Sequence, residues 1–119
     1  MDTVNMMKNR NTINKLFTLL FLLFSTSSFA TAYYVSSTGS DSHSGTSISG
    51  AWATINKVNS TVFLPGDKLY FEGGKTFSGS IYLNSGDAND PDNIFVISSY
   101  GTGRATINSG TSYGFYAYN

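Results

Sequence analysis

Hydrophobic and polar positions change rhythm three times along this chain. Lys8, Arg10 and Lys15 lead into a nine-residue apolar run, Leu16 to Phe24, and a small polar stretch then ends in Phe29-Ala30-Thr31-Ala32. A positive flank, a short apolar core and a small-x-small site are the parts of a secretory signal peptide. Nine residues fall short of the roughly 20 that span a bilayer, which argues against a membrane anchor. The pattern predicts a leader over residues 1–32, cut after Ala32, and a protein that is secreted, extracellular or periplasmic, with no stable membrane span after cleavage.

The next rhythm is helical. Trp52, Ile55 and Val58 recur every third residue, so a helix over about Ala51 to Asn59 is expected, with Ser49 or Gly50 at its start. Before it come a β-prone triplet, Tyr33-Tyr34-Val35, and a Ser/Thr/Gly loop from Ser36 to Thr46. Pro65-Gly66-Asp67 is a turn signal that closes this region.

After Asp67 the period drops to two. Strands are predicted at Lys68–Glu72, Ser80–Asn84, Ile94–Ile97, Ala105–Ile107 and Gly114–Tyr118, each bounded by a glycine-centred turn. Leu69, Phe71, Ile81, Leu83, Ile107 and Phe115 fall in the inward phase, with Phe95 and Ile97. Tyr70, Glu72, Tyr82, Tyr116 and Tyr118 fall outward. Leu69 to Phe95 spans 26 residues, Phe95 to Phe115 spans 20, and Ile81 to Ile107 spans 26. Two interleaved series at that spacing suggest a coil of repeats, with a β-sandwich as the alternative.

Composition sharpens this picture once the leader is set aside. The whole chain of 119 residues is formally neutral, but residues 33–119 carry four basic and six acidic side chains. A mildly acidic surface does not suit a nucleic-acid partner, which requires basic residues to displace counterions. Ser, Thr, Asn and Gly make up 42 of those 87 residues, a turn-rich composition. No cysteine is present, so disulfides, thiolate metal sites and thiol nucleophiles are excluded.

A resemblance runs through these segments. Tyr33-Tyr34-Val35-Ser36 with Gly39-Ser40-Asp41 and Gly45-Thr46 is followed by Ala51-Trp52-Ala53-Thr54-Ile55-Asn56-Lys57-Val58. Then come Pro65-Gly66-Asp67-Lys68-Leu69-Tyr70-Phe71 with Gly73-Gly74, Thr76-Phe77-Ser78-Gly79, and Ser98-Ser99-Tyr100-Gly101-Thr102-Gly103. In order and spacing the set resembles the N-terminal part of secreted bacterial right-handed parallel β-helix proteins of the pectate-lyase-like superfamily. The resemblance implies an all-β solenoid in which residues 33–67 form an N-terminal strand, loop and capping helix. Residues 68–119 would be its first two to three rungs. A stack of about three repeats needs a cap at each end, so the chain is expected to be a truncated N-terminal piece of a longer protein. That protein would act on or bind extracellular polysaccharide as a lyase, a hydrolase or a non-catalytic adhesin or scaffold.

Candidate chemistry is sparse. The loop Asp87-Ala88-Asn89-Asp90-Pro91-Asp92-Asn93 offers oxygen ligands in Asp87, Asp90 and Asp92, but Pro91 breaks the calcium-loop pattern, and a solvated turn between strands is the favoured reading. No cofactor is expected in this chain, and calcium is a possibility only for the full-length parent. His43 is the single histidine and sits in a loop without an evident orienting partner. Gly74-Lys75-Thr76 lacks the first glycine of a phosphate loop, because position 69 is Leu69. Glu72 lies outward, with no second acid placed to make a glycosidase pair. No catalytic residue is assigned. Outward Tyr82, Tyr116 and Tyr118 are candidate sugar contacts.

Overall fold

The computed structural model describes residues 29–84, 87 and 90–117. The basic flank and apolar run of the expected leader lie outside the described residues, as does Tyr118. The described chain is made of short strands with one short helix. Strand β1 is Ala32–Val35, helix α1 is Ile55–Asn59, and six strands follow: β2 Lys68–Glu72, β3 Thr76–Ser78, β4 Ile81–Leu83, β5 Val96–Tyr100, β6 Thr106–Asn108 and β7 Phe115–Ala117.

Every strand pair is parallel. The chain passes through β2, β3 and β4, then through β5, β6 and β7, and each strand of the second set lies on its counterpart in the first. Strand β1 lies on the other side of β2, giving the sheet order β1-β2-β5. The repeat is therefore three strands per layer. Leu69 stacks on Ile97, Phe77 on Ile107, and Ile81 on Phe115. The expected series paired Ile81 with Ile107 and Phe95 with Phe115, and that pairing is corrected. The unexpected strand β3 supplies the third ladder; three residues are too few to show a period in sequence. Strand β5 begins two residues later than expected, since Ile94 and Phe95 precede the register that Asp67 opens by accepting the Val96 N–H at 3.1 Å.

The first layer has edges that strand pairing leaves open, and the segment before β2 closes them. Tyr34 donates to the Gly45 carbonyl at 2.7 Å, Trp52 donates to Tyr34 at 2.9 Å, and Ser36 donates to Trp52 at 2.8 Å. The Ser36–Thr46 loop thus runs beneath β1 and pairs its free edge, with Trp52 in a parallel bridge to Val35. This is why the helix is shorter than the expected Ala51–Asn59: Trp52 is spent on the sheet. Thr54 is the N-cap, its hydroxyl accepting from the Lys57 N–H at 3.2 Å. Gly45 is required here. It has φ +76°, and a Cβ would stand 2.2 Å from the Trp52 ring.

The edge of β4 is closed by a side chain. The Asn59 amide donates to the Ser80 carbonyl at 2.8 Å and accepts the Tyr82 N–H at 3.0 Å. It offers one donor and one acceptor, as a neighbouring strand would. Helix α1 thereby sits under β4 with Ile55 and Val58 buried.

Burial fades along the stack. Val35, Leu69, Phe71, Phe77 and Ile81 are all 4% exposed or less, and Trp52, Ile55, Val58 and Phe63 join them in one cluster. Phe95, Ile97 and Ile107 are partly buried against it, which agrees with their expected inward phase. Phe115 occupies the inward column above Ile81 yet is 52% exposed, because no described residue lies on its far side. Aromatic rings run through the cluster. Trp52 stacks on Tyr33 at 5.0 Å, Tyr33 meets Phe63 edge-on at 5.4 Å, and Phe63 meets Phe95 at 4.9 Å.

Replacing Asn59 with Ala leaves Ser80 and Tyr82 without their side-chain partner. A loss of about 1–2 kcal/mol is expected, read as a lower midpoint in urea denaturation. An unchanged midpoint would show that solvent closes the β4 edge equally well.

Candidate functional site

Two outward surfaces gather the chemistry of this chain. The first lies on the β1-β2-β5 sheet. Tyr34 and Tyr70 are register partners, and their rings stack at 5.6 Å. Tyr100 leans across to Tyr34 and meets it edge-on at 5.4 Å. Beside them Glu72 extends one carboxylate oxygen, Oε2, to three donors. These are the Ser36 hydroxyl at 2.7 Å, the Ser37 N–H at 3.1 Å and the Ser37 hydroxyl at 3.2 Å. The Ser36 hydrogen bond leads in holding the Glu72 carboxyl below its ordinary range; desolvation opposes it, and Ser37 and Lys75 add to it. Burial raises the Tyr100 phenol, with the negative charge of Glu72 adding to it against a hydrogen bond to Ser36.

The second surface is on β4 and β7. Tyr82 and Tyr116 are register partners with rings stacked at 5.1 Å and 17° between planes. Tyr113, 70% exposed, meets Tyr116 at 5.1 Å and 81°. Sequence reasoning singled out Tyr82 and Tyr116, and the structure brings them together. It missed Tyr113, which sits in the turn before β7 and carries no strand period. Stacking turns one face of Tyr82 and one of Tyr116 toward each other, so the rims and hydroxyls of the pair face outward.

The remaining acids hold turns. Asp41 Oδ1 accepts from the Ala53 and Thr54 N–H groups at 2.9 and 3.0 Å, and its Oδ2 accepts the Thr54 hydroxyl at 2.6 Å. Desolvation pushes Asp41 up, but these hydrogen bonds and Lys57 together outweigh it and the net shift is down. Asp87 accepts from Phe63 N–H at 3.0 Å and Asn84 N–H at 2.9 Å, so its carboxylate ties the pre-β2 segment to the turn after β4. Asp90 accepts from the Asp92 N–H and the Asn93 side chain at 2.9 and 2.8 Å, and the Asn93 bond leads in lowering its affinity for a proton. Asp92 is exposed in the same turn. Among the described residues no group of three His, Asp or Glu side chains is placed to hold a metal ion. His43 does have a fixed neighbour, contrary to expectation: its Nδ1 lies 3.3 Å from the Ala51 carbonyl oxygen, and its own carbonyl accepts the Trp52 indole N–H at 3.0 Å. The loop is ordered because it pairs with β1, a constraint that no local pattern displays.

A general acid needs a raised carboxyl pKa to hold a proton near neutrality. The three shifted carboxylates move the other way, which suits anchors of backbone N–H groups. Each such group adds stability above the ordinary carboxylate range, near pH 4, and that stability is lost as pH falls through the lowered folded-state value. Acid titration followed by the near-ultraviolet aromatic signal should hold to about pH 4 and fail below it. The E72Q variant should be less stable at pH 7 and show a shallower acid limb. A chain that gains stability on acidification to about pH 3 would contradict the anchoring role.

No protein-family model matches the chain, and no curated protein sequence matches it significantly. Among solved structures, the selenomethionine and native crystal structures of GH136 lacto-N-biosidase from Eubacterium ramulus are similar to it. The TM-scores are 0.54 and 0.53, with 27% and 28% sequence identity over 61% and 60% of this chain. The match takes up 12% of the enzyme's chain in each case. These neighbours are a carbohydrate-active enzyme, as the sequence resemblance implied. They are glycoside hydrolases. Among the described residues no helix is long and apolar enough to cross a membrane.

Proposed function

We propose that this chain is the exported N-terminal end of a right-handed parallel β-helix protein that acts on or binds extracellular polysaccharide. In this reading residues 33–67 cap the coil and residues 68–119 begin it. One observation carries the proposal: a parallel three-strand layer repeated on itself, similar at 27% identity to part of a glycoside hydrolase. The inward residues Phe95, Ile97, Ile107 and Phe115 offer an apolar face of the kind a further layer would cover. The neighbours favour a hydrolase over a lyase as the longer protein. Its reacting groups would lie beyond this portion, since Asp41, Asp67, Glu72, Asp87 and Asp90 are occupied with backbone N–H groups. The Asp87, Asp90 and Asp92 turn stays outside the reading, since Asp87 and Asp90 hold backbone N–H groups.

The contribution of this portion to carbohydrate is recognition. Tyr82, Tyr113 and Tyr116 present aromatic rims and hydroxyls on one surface. Aromatic side chains with a polar tip suit a ligand that is apolar on its ring faces and hydroxylated at its edge.

Affinity electrophoresis through gels containing neutral or uronate polysaccharides tests this. Retardation by at least one polymer is expected, without release of reducing ends or unsaturated products. Tyr113→Ala and Tyr82→Ala should each weaken retention by about fivefold, the equivalent of about 1 kcal/mol. Free migration of the folded chain in every gel would refute carbohydrate recognition. Undiminished retention of both variants would move it away from the tyrosines, and polymer cleavage would place reacting groups within the chain.

A further inference from the structure

We propose that the export leader is removed by cleavage between Ala30 and Thr31, and that the new α-ammonium of Thr31 pairs with the buried carboxylate of Asp67. The inference rests on the export reading above and names its bond. Two overlapping small-x-small sites are written in the sequence. Ser28-Phe29-Ala30 directs a cut before Thr31, and Ala30-Thr31-Ala32 directs one before Tyr33. The fold distinguishes their products.

Asp67 is 1% exposed, among the most buried side chains described. Its Oδ2 accepts the Leu64 N–H at 2.9 Å, closing the turn on which Asp67 stands. Its Oδ1 accepts the N–H of Thr31 at 2.7 Å. The Thr31 carbonyl in turn accepts the Lys68 N–H at 2.9 Å, and Ala32 is in register with Lys68. Both residues that the expected cut after Ala32 would discard are thus built into the sheet. The residues before them are not: Phe29 is 84% exposed and Ala30 is exposed.

The two cuts have different consequences for Asp67. Cleavage before Tyr33 removes the donor to Oδ1 and leaves that oxygen of a buried carboxylate unpaired, a costly arrangement. Cleavage before Thr31 adds water across the Ala30–Thr31 peptide bond. The C–N bond breaks, Ala30 keeps the new carboxylate, and the Thr31 nitrogen takes a proton to become an ammonium. That nitrogen already stands 2.7 Å from Oδ1, so the neutral hydrogen bond becomes a charge-assisted one of the stronger class. The buried acid then has a cation of its own, supplied by the processing step.

Secretion of the full chain from a bacterial host, followed by intact mass and N-terminal sequencing of the exported protein, tests the proposal. The expected N-terminus is Thr31-Ala32-Tyr33. Ser28→Leu removes the small residue three positions before the proposed bond and should abolish this product, whereas Ala32→Leu should leave it unchanged. A mature protein that begins at Tyr33 overturns the choice of bond but keeps the export reading. A cell-retained chain with an intact leader overturns both. Mature chains prepared to begin at Thr31 and at Tyr33 add a readout independent of the peptidase. The Thr31 form should have the higher denaturation midpoint, with the gap closing when Asp67→Asn is made in both. Equal midpoints without that substitution would overturn the ion pair.

Discussion

A parallel stack of short strands cannot begin without something beneath it. Its first layer has one row of backbone donors and acceptors facing away from the stack, and one apolar face with nothing below. The described chain spends residues 36–59 on this constraint. Trp52 and Gly45 supply backbone partners to β1, while the Asn59 amide imitates a strand for β4. Trp52, Ile55 and Val58 then fill the apolar face. Backbone pairing and burial are met by the same few residues, so the cap is compact. Each of Leu69, Phe71 and Ile81 gains the roughly 1.5–3 kcal/mol of full burial because the cap is there. The same column loses that gain at Phe115.

The capping loop has no apolar side chain between Ser36 and Thr46, and it is held by polar ties instead. Asp41 draws in the start of the helix, and Glu72 draws in the end of β1. With no cysteine to staple the loop, carboxylate-to-backbone hydrogen bonds take over the fixing of chain crossings. The ties recur at each crossing: Asp67 holds the entry to β2, and Asp87 joins the turn after β4 to Phe63. Acids that lie far apart in sequence thus share one task.

How much of this could be read from the sequence depends on range. The inward phase of Leu69, Phe71 and Ile81 was legible because period two is local, and the Trp52, Ile55 and Val58 face was legible for the same reason. The three-strand repeat was not, because Phe77 sits in a strand of three residues and the loops between strands differ in length. Helix length failed at Trp52, where pairing with Val35 outweighed a weak helical preference. At the candidate site the outward direction of Tyr82 and Tyr116 followed from phase, but their pairing did not, since the expected register set Ile81 against Ile107, and Tyr113 came from a turn. The role of Glu72 required knowing that Ser36 and Ser37 lie one layer below it.

The two tyrosine surfaces show what register does to recognition chemistry. In a parallel stack register partners fall on top of one another, so where both are tyrosines the rings meet face to face and each covers one face of the other. Tyr34 with Tyr70, and Tyr82 with Tyr116, obey this. What remains outward is a row of edges and hydroxyl groups spaced by the distance between strands, roughly 4.8 Å. Such a row is periodic along the stacking direction and hydrogen-bonds at its rim. In the proposed reading, its ligand is an extended hydroxylated polymer and not a single small molecule held in a concave pocket. Under the proposed function, a carbohydrate chain would lie across the layers, and the stacking that forms the fold would also space its contacts.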